Sequence, residues 1–155
     1  MIGRSKARMR LCVALLCVNL AFIWGNSMLP GEVSAAFSQW VKELLARIFA
    51  GGTPGVGGHG LLRKLAHFTE FASLGLLVSW LVGMLRGRRS LLPLLPGMAV
   101  ACVDESIQLL VPGRAGRLTD VLIDTGGVLV GMLLFLLITI RKKQKNNIFT
   151  GGNQQ

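Results

Sequence analysis

Charge is scarce in this sequence. Asp, Glu, Lys and Arg make up 15% of its 155 residues, against roughly a quarter in soluble domains. With a mean hydropathy of +0.57, that scarcity argues against an ordinary soluble domain. Acids are the rarer sign, seven against seventeen basic residues. Cysteine is nearly lacking too. Cys12, Cys17 and Cys102 are odd in number, sit inside apolar runs and have no zinc-ligand spacing. They read as small buried apolar residues, and none follows the first apolar run as a lipid-attachment site. No Ser/His/Asp or Cys/His arrangement is visible, because Ser73 and Ser106 have no evident base. The net charge of +10 does not point to nucleic acid. The basic residues form no stripe with interleaved aromatics and cluster instead at the edges of apolar runs, a membrane pattern.

What is present is long hydrophobic runs. A membrane helix needs about 20 mostly apolar residues. Four segments qualify, at about 11–29, 65–85, 91–111 and 118–140. The expected fold is therefore all-α, an integral membrane bundle of four transmembrane helices. A single domain is expected over 1–145, with a disordered cytoplasmic tail over 146–155. The first run has the basic front of a signal peptide, RSKARMR. Its small-residue triplet Ser34-Ala35-Ala36 lies about ten residues past the apolar end, too far for ready cleavage, so the run reads as a retained span.

Orientation follows from the basic residues. Eleven flank one side: Arg4, Lys6, Arg8, Arg10, Arg86, Arg88, Arg89, Arg141, Lys142, Lys143 and Lys145. Six flank the other: Lys42, Arg47, Arg63, Lys64, Arg114 and Arg117. Both termini are thus expected in the cytoplasm of a multi-pass cell-membrane protein, with 31–62 and 112–117 outside. Between the first two runs, Phe37, Trp40, Val41, Leu44, Leu45 and Ile48 share one face at helical spacing. They predict a short amphipathic helix that lies on the outer leaflet or packs on the bundle. GGTPGVGGHG follows as a flexible link in which His59 has no assigned role. Gly75, Ser79 and Gly83, and again Gly127 and Gly131, recur every four residues and allow close helix approach. They read as packing within one chain. The oligomeric state stays open.

All seven acids fall on the outer side or in the outer half of a span. On the predicted topology, Glu70, Asp104 and Asp124 come out about 10 Å below the outer surface, at about 1.5 Å per residue. His67 and Glu70 share a helix face by spacing, as do Asp104 and Gln108, Glu105 and Gln108, and Asp120 and Asp124. Ionisable groups at that depth are costly and mark a functional site by default. The six-residue connection PGRAGR places Arg114 and Arg117 at the mouth. The expectation is an outward-facing polar pocket of Lys64, His67, Glu70, Asp104, Glu105, Gln108, Arg114, Arg117, Asp120 and Asp124. Which of the adjacent Asp104 and Glu105 is central stays open.

KLAHFTEFASLGLL at 64–77, DESIQLLVPGRAGRLTDVLIDTGGVLVG at 104–131, NSMLPGEVSAAFSQWV at 26–41 and the four-span layout resemble the VanZ-like family of bacterial membrane proteins. The resemblance implies a role in the cell envelope, and its founding member is associated with resistance to the glycopeptide teicoplanin. Some members are labelled acyl-transfer enzymes, and this chain lacks residues for that chemistry.

Three readings of the pocket remain. In the first, it binds an anionic head group, a cell-wall precursor or a glycopeptide through Arg114 and Arg117, so that Arg114→Gln keeps its folded yield and loses binding. In the second, His67, Glu70, Asp104, Glu105 and Asp124 are candidate catalytic acids and bases. A variant has Asp104, Glu105 and Asp124 on magnesium or calcium, but the near-neutral charge of the cluster leaves no metal or cofactor expected. In the third, five acids and four bases, with His67 as a possible fifth, form a self-satisfied structural network. The lipid bilayer is the expected surrounding and no nucleic-acid partner is expected.

Overall fold

The computed structural model describes residues 2–49, 59–86 and 91–151. Among them the chain forms five helices and no strand: α1 Ile2–Ser27, α2 Gly31–Phe49, α3 His59–Arg86, α4 Leu94–Leu110 and α5 Leu118–Gly151. Three contain stretches long and apolar enough to cross a membrane, Ser5–Ser27, Gly60–Arg86 and Leu118–Arg141. The third predicted run, 91–111, is shortened. Leu91–Pro93 form a turn, and Pro93 (φ −59°) precedes the first residue of α4. The remaining 17 residues reach about 25 Å, less than a bilayer core of about 30 Å. At the other end α5 runs on to Gly151, so residues 146–151, expected as tail, belong to this helix. The link 51–58 lies outside the described residues, and its last two positions, His59 and Gly60, open α3.

The distribution of burial is inverted relative to a soluble protein. Among the described residues nine polar or charged ones are buried, against seven hydrophobic ones: Cys12, Ile23, Phe71, Leu74, Ala101, Val128 and Met132. Large apolar side chains such as Phe22, Leu95, Leu122 and Leu133 point outward. In water such a surface would aggregate, whereas in hydrocarbon it is the favourable face. Of the cysteines only Cys12 is buried; Cys17 and Cys102 are exposed, a correction to the sequence reading that follows from the same inversion.

Small residues set the closest approach, between α3 and α5. A methyl group added at Gly131 would collide with the Ala72 carbonyl, and one at Gly75 with the Val128 carbonyl. At Gly127 it would lie 2.5 Å from the Phe68 carbonyl oxygen. The glycine spacing in both helices thus serves packing within the chain. Close contact here brings the N-terminal halves of α3 and α5 side by side, which positions the polar residues described next.

Two Pro-Gly corners dock on each other near those turns. Pro30-Gly31 opens α2, and Pro112-Gly113 stands at the start of the connection from α4 to α5. The Gly31 amide donates to the Pro112 carbonyl at 3.1 Å. Gly113 has φ 73°, the left-handed region that glycine enters without strain. There is no room between the corners for a β-carbon at Gly31, which would clash with Gly113.

Candidate functional site

Each wall of the site follows from helical spacing. On α3, Arg63, His67 and Glu70 lie one turn apart in succession. On α4, Asp104 and Gln108 stack at i and i+4, and α5 supplies Asp120 and Asp124 in the same way. His67, Glu70, Asp104, Glu105, Gln108 and Asp124 are all buried. Among the described residues the expected acids therefore converge on one region.

They do not form one uniform network. Asp104 and Asp124 are 0% and 1% exposed and sit at the centre with His67. One ligand-type atom from each lies within 4.8 Å of the others. Gln108 holds Asp104, its Nε2 donating to Oδ2 at 2.9 Å. The same nitrogen lies 3.4 Å from the Ser27 hydroxyl of α1. His67 Nδ1 stands 3.7 Å from Asp104 Oδ2, too long for a hydrogen bond. Glu70 turns toward α1, where Asn26 Nδ2 donates to its Oε1 at 3.1 Å. Glu105 accepts the backbone N–H of Arg117 at 2.8 Å and so anchors the connection. Asp104 is thus the central residue of the adjacent pair. Lys64 Nζ and Asp120 Oδ1 are 3.6 Å apart, with the lysine side chain 42% exposed, a rim pair worth little energetically.

The arginines behave differently from one another. Arg114 points back to the end of α1, donating from Nε to the Leu29 carbonyl at 2.9 Å and from Nη2 to the Asn26 carbonyl at 2.7 Å. These carbonyls lie at the end of a helix, where intrahelical partners run out. Burial, followed by the positive field of Arg63, holds the Arg114 guanidinium below its ordinary value, though it remains charged. Its Nη1 is buried with no partner among the described residues. Arg117 is exposed and contributes its backbone amide.

Two features were not legible beforehand. Asn26 and Ser27 join the site from α1, and their only signal is a polar pair closing an apolar run. The second feature is a groove of about 540 Å³ between α1, α2 and α3. Its walls are largely apolar, including Phe22, Leu29, Phe37, Val41 and Leu62, and Arg63 and Glu70 stand on it. Arg63 has no hydrogen bond or ion pair with the described residues. Beside the acidic centre is a cavity of about 10 Å³, lined by Arg63, His67, Gln108 and Asp124 among others. That is space for one water-sized particle. The sequence expected one pocket, and the structure shows a groove and a small polar centre, with Arg63 on the walls of both.

No curated protein and no solved structure matches this chain. The VanZ/LLP1 family model matches residues 11–139. That span takes in α1, both Pro-Gly corners, the polar faces of α3, α4 and α5, and the groove, so the chain belongs to the VanZ/LLP1 family.

Proposed function

We propose that this protein is a multi-pass cell-membrane protein that binds an amphipathic, anionic envelope ligand from the outer leaflet. The observation that carries the reading is the groove. Its volume of about 540 Å³ falls in the usual range of ligand sites, roughly 300–1,000 Å³. Apolar walls suit an acyl chain, and Arg63 at its polar edge suits a phosphate or carboxylate. A phospholipid or a lipid-linked cell-wall precursor has this chemistry. Sequestering such a precursor, or a lipid that glycopeptides approach, would connect the protein to teicoplanin-type resistance. The closed centre is too small for a head group, so His67, Asp104 and Asp124 do not take part in this binding.

The experiment is native mass spectrometry of the protein extracted with its lipids. The wild type is expected to retain an anionic lipid or precursor, and Arg63→Gln to retain about tenfold less, about 1.4 kcal/mol. Equal retention by the two proteins would refute the groove reading. Retention of a hydrolysed product would favour catalysis at the acidic centre instead.

The same reading places four helices across the membrane, α4 included, with both termini inside. The short α4 is accommodated by local thinning or by its apolar flanks. The exposed Trp40, Leu44 and Ile48 of α2 rest on the outer leaflet, and Phe37, stacked on Trp40 at 6.0 Å, stands between that face and the groove. The other side of α2, through Ser34, Ser38 and Val41, forms a wall of the groove. In a cysteine-free background, a membrane-impermeant maleimide is expected to label a cysteine at Glu43 in intact cells. A cysteine at Gln144 is expected to react only after lysis. The reverse pattern would overturn the topology.

A further inference from the structure

The centre formed by His67, Asp104 and Asp124 is left with more acceptors than the protein satisfies. Asp104 Oδ1, both carboxylate oxygens of Asp124 and both ring nitrogens of His67 are buried without a hydrogen-bond partner among the described residues. Groups of this kind are rarely left alone, because an unpaired buried charge is strongly unfavourable. Two of the neighbouring cations are engaged elsewhere. Lys64 pairs with Asp120, and two donors of Arg114 go to the carbonyls of Asn26 and Leu29. Arg63 lines the same small cavity but forms no ion pair with Asp104 or Asp124, so among the described residues no lysine or arginine touches these two carboxylates directly.

We propose that His67, Asp104 and Asp124 hold a divalent transition-metal ion, zinc by the chemistry of the donors, at the junction of α3, α4 and α5. One imidazole and two carboxylates supply three ligands and a charge of about −2, which one divalent ion neutralises. A nitrogen donor disfavours magnesium and calcium, which take oxygen ligands. No cysteine belongs to the cluster. Ligand atoms within 4.8 Å of one another need to close by about an ångström to reach zinc bond lengths of about 2.0–2.2 Å, which side-chain torsions permit. Gln108 orients Asp104 by holding Oδ2 and leaves Oδ1 for the ion, the usual arrangement around a metal ligand. The adjoining cavity of about 10 Å³ has room for a water as fourth ligand. The sequence had offered Glu105 as a ligand instead of His67. Glu105 is drawn off by the Arg117 amide, and the cluster takes the histidine in its place.

The test uses the full chain with an affinity tag other than polyhistidine, purified in detergent without chelators. The protein is loaded separately with zinc and with manganese, freed of excess ion, and analysed by elemental mass spectrometry. The wild type is expected to retain about one zinc per chain and to melt at a higher temperature with zinc than with manganese. Asp124→Asn and His67→Gln are expected to retain less than about a tenth of that, and Gln108→Leu to bind about tenfold more weakly. Asp124→Asn also removes an unpaired charge, so its folded yield is expected to stay at the wild-type level. Replacement of all three cysteines by serine is expected to leave zinc content unchanged. A wild type that retains neither metal overturns the proposal. So does undiminished zinc in both Asp124→Asn and His67→Gln, or loss of zinc in the cysteine-free protein.

Discussion

Gly131→Leu is expected to abolish folded protein. Even the first carbon of the new side chain has nowhere to go, since it meets the Ala72 carbonyl and lies 2.7 Å from the Leu76 amide nitrogen. Both obstacles are backbone atoms of α3, so no rotamer change relieves the clash, and α3 and α5 have to separate. Overpacking a tight site commonly costs about 1–3 kcal/mol, and a backbone collision belongs at or above the top of that range. Separation also pulls His67 away from Asp124, so the polar centre opens with it. Gly126 is one helical position from Gly127 and supplies the control. A methyl there would find only the edge of the Phe68 ring, at 3.8 Å, an ordinary contact. Gly126→Ala is expected to be neutral or to gain about 0.5–1 kcal/mol from reduced chain entropy. Detergent-solubilised yield on size exclusion, with a thermal melt, reads both. Similar yields for Gly131→Leu and Gly126→Ala would mean that α3 and α5 do not pack as described.

The second large effect concerns Arg114. Its fork joins the end of α1 to the segment after α4, two parts of the chain 85 residues or more apart. Hydrogen bonds from a charged donor contribute about 1.5–3 kcal/mol each. One of the two here is exposed, which puts the pair at about 2–4 kcal/mol. Arg114→Gln is therefore expected to lower folded yield severalfold, and Arg114→Lys to recover part of it, because an ammonium reaches one carbonyl and cannot imitate the fork. Arg117→Gln is expected to leave yield unchanged, since the exposed side chain contributes nothing that glutamine lacks and the backbone N–H to Glu105 remains. This reverses the expectation for Arg114 drawn from the sequence, in which the residue was free to hold an external anion. Equal yields of Arg114→Gln and Arg117→Gln would return Arg114 to that role.

The corner docking gives a physical meaning to sequence that had looked like a pocket mouth. In PGRAGR, Pro112 offers its carbonyl to Gly31, Gly113 takes the left-handed turn, and Arg114 bonds the end of α1. Farther on, Gly116 leaves no room for a β-carbon, which would sit 2.7 Å from the Glu105 carbonyl oxygen and from Leu109 Cγ. The segment therefore positions α4 and α5 by backbone geometry. Its charge does less than the sequence pattern had indicated.

Much was legible from one dimension because the physics involved is periodic or additive. Hydrophobic length marked α1, α3 and α5, since crossing a bilayer depends on summed apolar residues over a fixed thickness. Spacing by three and four put His67 with Glu70, Asp104 with Gln108 and Asp120 with Asp124 on common faces, and their shared depth foretold their meeting. The family resemblance rested on the same residues. Other matters depended on rotation and separation between helices, which no single segment encodes. Asp104 became central and Glu105 peripheral because α4 is turned so that one faces His67 and Asp124 while the other faces the connection. Arg114 was committed to carbonyls 85 or more residues upstream, a pairing that no local spacing reveals. The groove exists because α2 folds back beside α1 and α3, and the centre is closed because glycines let α3 and α5 approach to backbone contact. Spacing along a helix settles which residues share a face; only the packing of helices against one another settles what each face meets.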